Sequence, residues 1–213
     1  VVLGLVATVK AACPSEALRF PQLETVPSLE QLNGVWLDQL SSRKADSHFY
    51  CTQQSNSKSN ETSYRTDTTS SMVQGKVPYS ASFVNVGVPQ KQSEMVFELV
   101  PASRTAHWFT GSLFFLVDYR ADDHPSGGYY SWMICNESDE YEFHVSAREG
   151  TDLTGVQDRV LGILDTYALN PQGQTFHQEP HDTKTCPSVN VVADVTARGH
   201  DDKDDDGDDE GEC

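Results

Sequence analysis

Glu142, His144 and Ser146 alternate with Phe143 and Val145 in a short run from Tyr141 to Ala147. A period of two puts the three polar side chains on one face of a strand and the two apolar ones on the other. An imidazole between a carboxylate and a hydroxyl can hydrogen-bond a ring ketone or a propionate of a bound molecule, or serve as a satisfied structural group. His107, His124, His177 and His181 stand in loop or turn sequence with no ligand spacing to carboxylates or to one another, so no metal site is expected. There is no Gly-x-Ser-x-Gly elbow, no Gly-rich phosphate loop, no His-Glu-x-x-His and no isolated carboxylate pair placed for divergent acidity. The chain is therefore read as a non-enzyme. Five cysteines, Cys13, Cys51, Cys135, Cys186 and Cys213, lack Cys-x-x-Cys spacing, which points to disulfides rather than to zinc or a redox motif.

The elements that must position these groups are strands. Leu32 to Leu40 contains Asn33-Gly34-Val35-Trp36, a glycine followed two residues later by a large ring, which suits a first strand whose tryptophan plugs one end of a closed sheet. With Trp36 inward, Asp38 and Leu40 share its face, and a buried Asp38 needs a partner. Further strands are expected at His48–Gln54, within Val73–Val88, and at Glu94–Val100, Ser112–Tyr119, Tyr129–Cys135 and Tyr141–Ala147. Ser55 to Ser71 is so rich in Ser, Thr and Asn that it reads as exposed strand or loop. This is an all-β meander of short antiparallel strands, a sandwich or an up-and-down barrel. The period then changes once. Leu153, Val156, Val160, Ile163, Leu164 and Tyr167 recur at helical steps and Thr154 with Gln157 has capping-box spacing, so one helix is expected from near Thr154 to just before Asn170-Pro171, packed outside the sheet.

The 213 residues are 37% hydrophobic with a net charge of -17, and no apolar run is long enough to cross a bilayer. So acidic a chain is an unlikely partner for nucleic acid or for an anionic membrane surface. Asp201 to Glu212 carries -8 of the charge, leaving -9 on the rest. The expected organisation is a secretory-signal remnant over 1–11, a barrel domain over 12–190 and a disordered acidic tail over 191–213. The sequons at Asn60 and Asn136 fit a secreted, extracellular glycoprotein. The tail carries a lesser function hypothesis, weak calcium or mineral association, though its carboxylates are not spaced as an EF-hand.

Taken together, the chain resembles a lipocalin, within the group of apolipoprotein D, the insect bilin-binding proteins and the crustacyanins. Gly34-Val35-Trp36 sits at that family's first motif. Asp118-Tyr119 matches the end of its second, with Val117 in place of threonine, and Arg148 matches the arginine of its third. The resemblance implies an eight-stranded antiparallel barrel with one outer helix, in which Arg148 packs over Trp36 at the closed end. It also implies the pairings Cys13–Cys135 and Cys51–Cys186, leaving Cys213 over. Closing so long a loop as the second contributes on the order of 4 to 5 kcal/mol in the chain-entropy model. The family's inward parity projects Asp38, Leu40, Gln54, Phe114, Leu116, Tyr130, Trp132 and His144 into the cavity. The implied function is a carrier holding a small hydrophobic ligand non-covalently: a conjugated chromophore, carotenoid (astaxanthin-like) ahead of bilin (biliverdin-like), or else a colourless lipid, odorant or other apolar molecule. Homo- and hetero-oligomers are both open.

Overall fold

The computed structural model describes residues 20–42, 49–72, 78–88, 95–103, 112–135, 141–170 and 172–179. Cys13, Cys186, Cys213, Asn136, His107, His181, the 1–11 segment and the acidic tail lie outside them. Eight antiparallel strands follow one another: β1 (Gly34–Ser41), β2 (Phe49–Lys58), β3 (Ser63–Met72), β4 (Pro78–Gly87), β5 (Val96–Pro101), β6 (Leu113–Arg120), β7 (Tyr129–Cys135) and β8 (Tyr141–Ala147). Each pairs with its neighbour in sequence, and β1 pairs with both β8 and β2, so the sheet closes into an up-and-down barrel. The helix α1 (Val156–Thr166) follows, then a two-residue strand β9 (His177–Gln178). The first half of β1 pairs with β2, Gly34 opposite Asn56 through Leu37 opposite Gln53. Beyond that the same edge is taken by β9, with Leu40 opposite Gln178 and Ser41 opposite His177.

Alternation along the strands makes two cores. The inner one gathers Leu32, Trp36, Tyr64, Phe83, Phe97, Leu99, Phe114, Leu116, Tyr119, Tyr130 and Trp132. The outer one lies between barrel and helix, where Phe115, Val117, Met133, Phe143 and Val145 meet Val156, Val160 and Leu164 of α1. Burying each such helical side chain is worth about 1.5–3 kcal/mol, which is what holds an 11-residue helix that would be marginal alone. The chain before β1 crosses one end of the barrel, and Leu32 is fully buried there with Leu23 and Leu29 packed alongside.

Two expectations need correction. Leu40 does not share the face of Trp36 and Asp38: a register shift between Asp38 and Leu40 inserts Gln39 as an extra residue, and Leu40 packs against the outer core. The helix begins at Val156, two residues after Thr154, and the capping box is not formed. Gly155 is the N-cap, at φ 74°, with no side-chain cap; the Thr154 amide instead donates to Asp152 Oδ1 at 2.9 Å. The stretch from Ser55 to Ser71, expected as exposed strand or loop, forms the end of β2, the turn after it and β3 up to its last residue but one.

Candidate binding site in the barrel interior

The barrel is shut at the Trp36 end by a clamp of three residues. Gly34 adopts φ +98°, and a Cβ there would stand 3.0 Å from Arg148 Nη1. Only a glycine lets the arginine come this close without strain. Arg148 donates from Nη1 to the Val35 carbonyl at 2.8 Å and from Nη2 to the Asn33 carbonyl at 2.7 Å, and it is paired with Asp122. Its guanidinium carbon lies 3.5 Å from the centre of the Trp36 ring. Trp36 Nε1 donates to the Leu32 carbonyl at 2.8 Å, so the ring's one polar atom is satisfied.

Above this floor a hydrogen-bonded belt runs around the inner wall. Asn85 donates to Thr66 at 2.8 Å and Thr66 to Asn56 at 2.8 Å. Asn56 donates to the Tyr130 hydroxyl at 3.2 Å, and that hydroxyl donates to Gln54 Oε1 at 2.6 Å. Gln54 Nε2 donates to Asp38 Oδ1 at 3.0 Å, the Ser146 hydroxyl donates to the same oxygen, and Trp132 Nε1 donates to Ser146 Oγ at 2.7 Å. Burial costs each of these groups its water, and the belt returns a partner to each. Burial, and then the neighbouring Asp38 carboxylate, push the Tyr130 phenol well above its ordinary range.

Next to the belt stands an aromatic wall across β6, β7 and β8. The Trp132 ring stacks on His144 with centroids 4.1 Å apart and planes within 3°, and on Phe114 at 5.3 Å and 29°. Leu116 lies opposite Trp132 in the β6–β7 register. His144 is 1% exposed; its Nδ1 faces Asp38 Oδ2 at 3.5 Å and its Nε2 faces Glu142 Oε2 at 3.4 Å. Glu179, just past β9, is held beside β1 because its amide donates to the Gln39 carbonyl at 2.9 Å. One ligating atom from each of Asp38, His144 and Glu179 lies within 4.8 Å of the others, all three residues being buried, so this trio could hold a metal ion. A separate hollow of about 300 Å³ lies at the closed end, lined by residues including Pro27, Leu29, Lys58, Thr62 and Phe97. None of the eight expected ligand residues lines it.

Of those eight, Asp38, Gln54, Phe114, Leu116, Tyr130, Trp132 and His144 meet inside the barrel, and Leu40 does not. Ser146, expected on the polar face of His144, joins the belt; sequence reasoning passed over Asn56, Thr66 and Asn85 there, and Tyr64 and Phe97, which pack edge to face at 5.1 Å. The signal existed, since Asn56, Thr66 and Asn85 each fall on the inward parity of a strand, but the polarity of the region read as exposure. Asp118 turns outward because a second register shift, between Leu116 and Asp118, follows Leu116. There it is a buried anchor for α1, accepting from Tyr129 at 2.5 Å and from Arg159 at 2.7 Å, while Tyr119 returns to the inner core. Cys51 and Cys135 are both disulfide-bonded. Asn60 is exposed in the β2–β3 turn.

No family sequence model matches the chain, and no curated protein matches it by sequence. Its fold matches solved structures. Apocrustacyanin C1 superposes with a TM-score of 0.54 at 11% identity, over 77% of this chain and 84% of that one. Lobster apocrustacyanin A1 gives 0.50 at 10% identity, over 74% and 81%. The cockroach allergen Per a 4 gives 0.52 at 12% identity, over 81% and 97%. These neighbours are lipocalins, and the closed eight-stranded meander with its outer helix is their architecture: this chain has the lipocalin fold.

Proposed function

We propose that this protein is an exported carrier, not an enzyme, that holds a small hydrophobic ligand inside its barrel. The ligand we favour is a flat conjugated chromophore bound non-covalently, a carotenoid ahead of a bilin. The observation that carries this reading is the ring series Phe114, Trp132, His144 on three adjacent strands, because wide, flat side chains match a flat, polarisable ligand better than a flexible chain. The lipocalin fold of the crustacyanins supports it, and so does the resemblance of motifs to that group. Polar groups at the edge of the wall, His144 and Glu142, suit a ring ketone or a propionate at one end of the ligand. An exposed Asn60 in a tight turn suits a glycan, and the pairings Cys13–Cys135 and Cys51–Cys186 suit an oxidising compartment.

The hydrogen-bonded belt favours a second reading. It takes up interior space that a long polyene would need, and a shorter, colourless lipid or odorant would sit above it. The visible absorption spectrum of the protein from its own source, taken before organic solvent has touched it, separates the two. A strong visible band that shifts on acetone or butanol extraction, with a carotenoid or tetrapyrrole mass in the extract, is the expected result. Aromatic absorption alone, with an apolar colourless mass recovered, supports the second reading and rules out the first.

A further inference from the structure

We propose that Asp38, His144 and Glu179 form a binding site for a divalent transition-metal ion, Zn2+ being the ion their donors fit best. The site shares Asp38 and His144 with the interior wall proposed for the carrier, but it needs no pigment and stands whether or not the barrel holds one. One imidazole nitrogen and two carboxylate oxygens converge from β1, β8 and the residue that follows β9, with exposures of 1%, 1% and 7% for Asp38, His144 and Glu179. A tetrahedral Zn2+ with bonds of about 2.1 Å spaces its ligand atoms about 3.4 Å apart. His144 Nδ1 and Asp38 Oδ2 already stand 3.5 Å apart, so little movement is needed to bring both to one ion. Three protein ligands leave a fourth position for water or for an oxygen of a bound molecule.

The groups around the trio are arranged as supports for metal ligands. A metal-bound histidine usually gives its other ring nitrogen to a carboxylate, which fixes the tautomer and raises the basicity of the bound nitrogen. Here Nδ1 faces the cluster, and Nε2 faces Glu142 at 3.4 Å. The imidazole cannot swing, because it lies flat on Trp132. Asp38 is held in the same way: Gln54 and Ser146 both donate to Oδ1, which turns Oδ2 toward His144. Glu179 is brought in by the extra residue in β1. Register shifts at Gln39, and the Gln39 carbonyl accepts the Glu179 amide, so the bulge that sends Leu40 outward also anchors the third ligand. Positions 38, 144 and 179 are so far apart in sequence that no ligand spacing exists to be read.

The test is Co2+ and Zn2+ titration of the chelator-stripped full chain, in an excess of Ca2+ to occupy the acidic tail, read by visible d–d absorption and calorimetry. One Co2+ per chain is expected, with the spectrum of a low-coordinate nitrogen and oxygen site that Zn2+ abolishes. Glu179→Gln removes a ligand at the margin of the fold and weakens binding at least tenfold with the far-UV circular dichroism unchanged. Glu142→Gln, whose side chain is 36% exposed, keeps all three ligands and weakens binding about 10- to 100-fold; it decides the matter if the first variant does not fold. No saturable Co2+ binding overturns the proposal. So does a spectrum and affinity that Glu179→Gln leaves unaltered, which assigns the ion to the tail.

Discussion

Gly34 and Arg148 depend on each other through a space too small for a methyl group. Gly34→Ala places a Cβ 3.0 Å from Arg148 Nη1 and forces an L-residue to φ +98°. The guanidinium has little freedom to yield, because two carbonyls, Asp122 and the Trp36 ring hold it. The substitution should lower stability by about 1–3 kcal/mol in urea denaturation. Arg148→Ala should cost a similar amount, about 2 kcal/mol, from two hydrogen bonds and the cation–π contact. The pair of changes should cost less than the sum, since removing the arginine relieves the steric part and leaves only the backbone strain. Strict additivity would show that the two residues are not coupled. In the sequence this pair is visible only as a glycine and an arginine more than a hundred positions apart, matched to motifs; their contact is a product of the closed barrel.

The strands were legible because alternation and turn residues mark them: β7 and β8 fall at the expected boundaries, and β5 ends at Pro101. Two things were hidden. A bulge arises from pairing between strands, so neither the turning-out of Leu40 nor that of Asp118 follows from local spacing. Polar side chains inside a barrel also imitate exposure, and β3 looked like surface for that reason. The outward Asp118 decides how α1 docks. Its carboxylate is 4% exposed and takes hydrogen bonds from Tyr129 and from Arg159 on the helix, whose side chain is 44% exposed and also reaches Glu24. Arg159→Leu removes the only cation among the described residues that these contacts give Asp118, and leaves a buried charge. A fully buried broken pair costs about 3–5 kcal/mol; with one partner half in water, about 2–3 kcal/mol is expected by urea denaturation. Adding Asp118→Asn to Arg159→Leu should recover part of the loss, because the stranded charge is gone. A double variant less stable than Arg159→Leu would mean that the Asp118 carboxylate is not stranded without the arginine, its charge being satisfied by the Tyr129 hydroxyl.

At the scale of the molecule, one sheet separates two cores, and tyrosines are buried on both sides of it. Tyr64 and Tyr130 lie in the inner core, Tyr129 between barrel and helix, and Tyr119 near the closed end. Burial is the first cause that raises each phenol above its ordinary value. Negative neighbours add to it: Asp38 for Tyr130, Asp118 for Tyr129, and Asp122 with Asp123 for Tyr119. In the unfolded chain the same phenols titrate near 10. Below that pH both states keep their protons and the contribution to stability is complete. Above it the unfolded chain releases protons that the folded chain retains, so stability falls as pH rises from about 10 toward the higher folded values. Because the four phenols belong to both cores, the barrel and its helix should be lost together rather than in turn. A phenolate absorbance titration followed beside near-UV circular dichroism tests this. Four of the eight tyrosines should ionise only as the tertiary signal disappears, in one cooperative step, and all eight should titrate near 10 in denaturant. Reversible ionisation of all eight near 10 with the tertiary signal intact would mean that water reaches these rings in the folded state, and that the interior is far more open than the belt and the outer core allow.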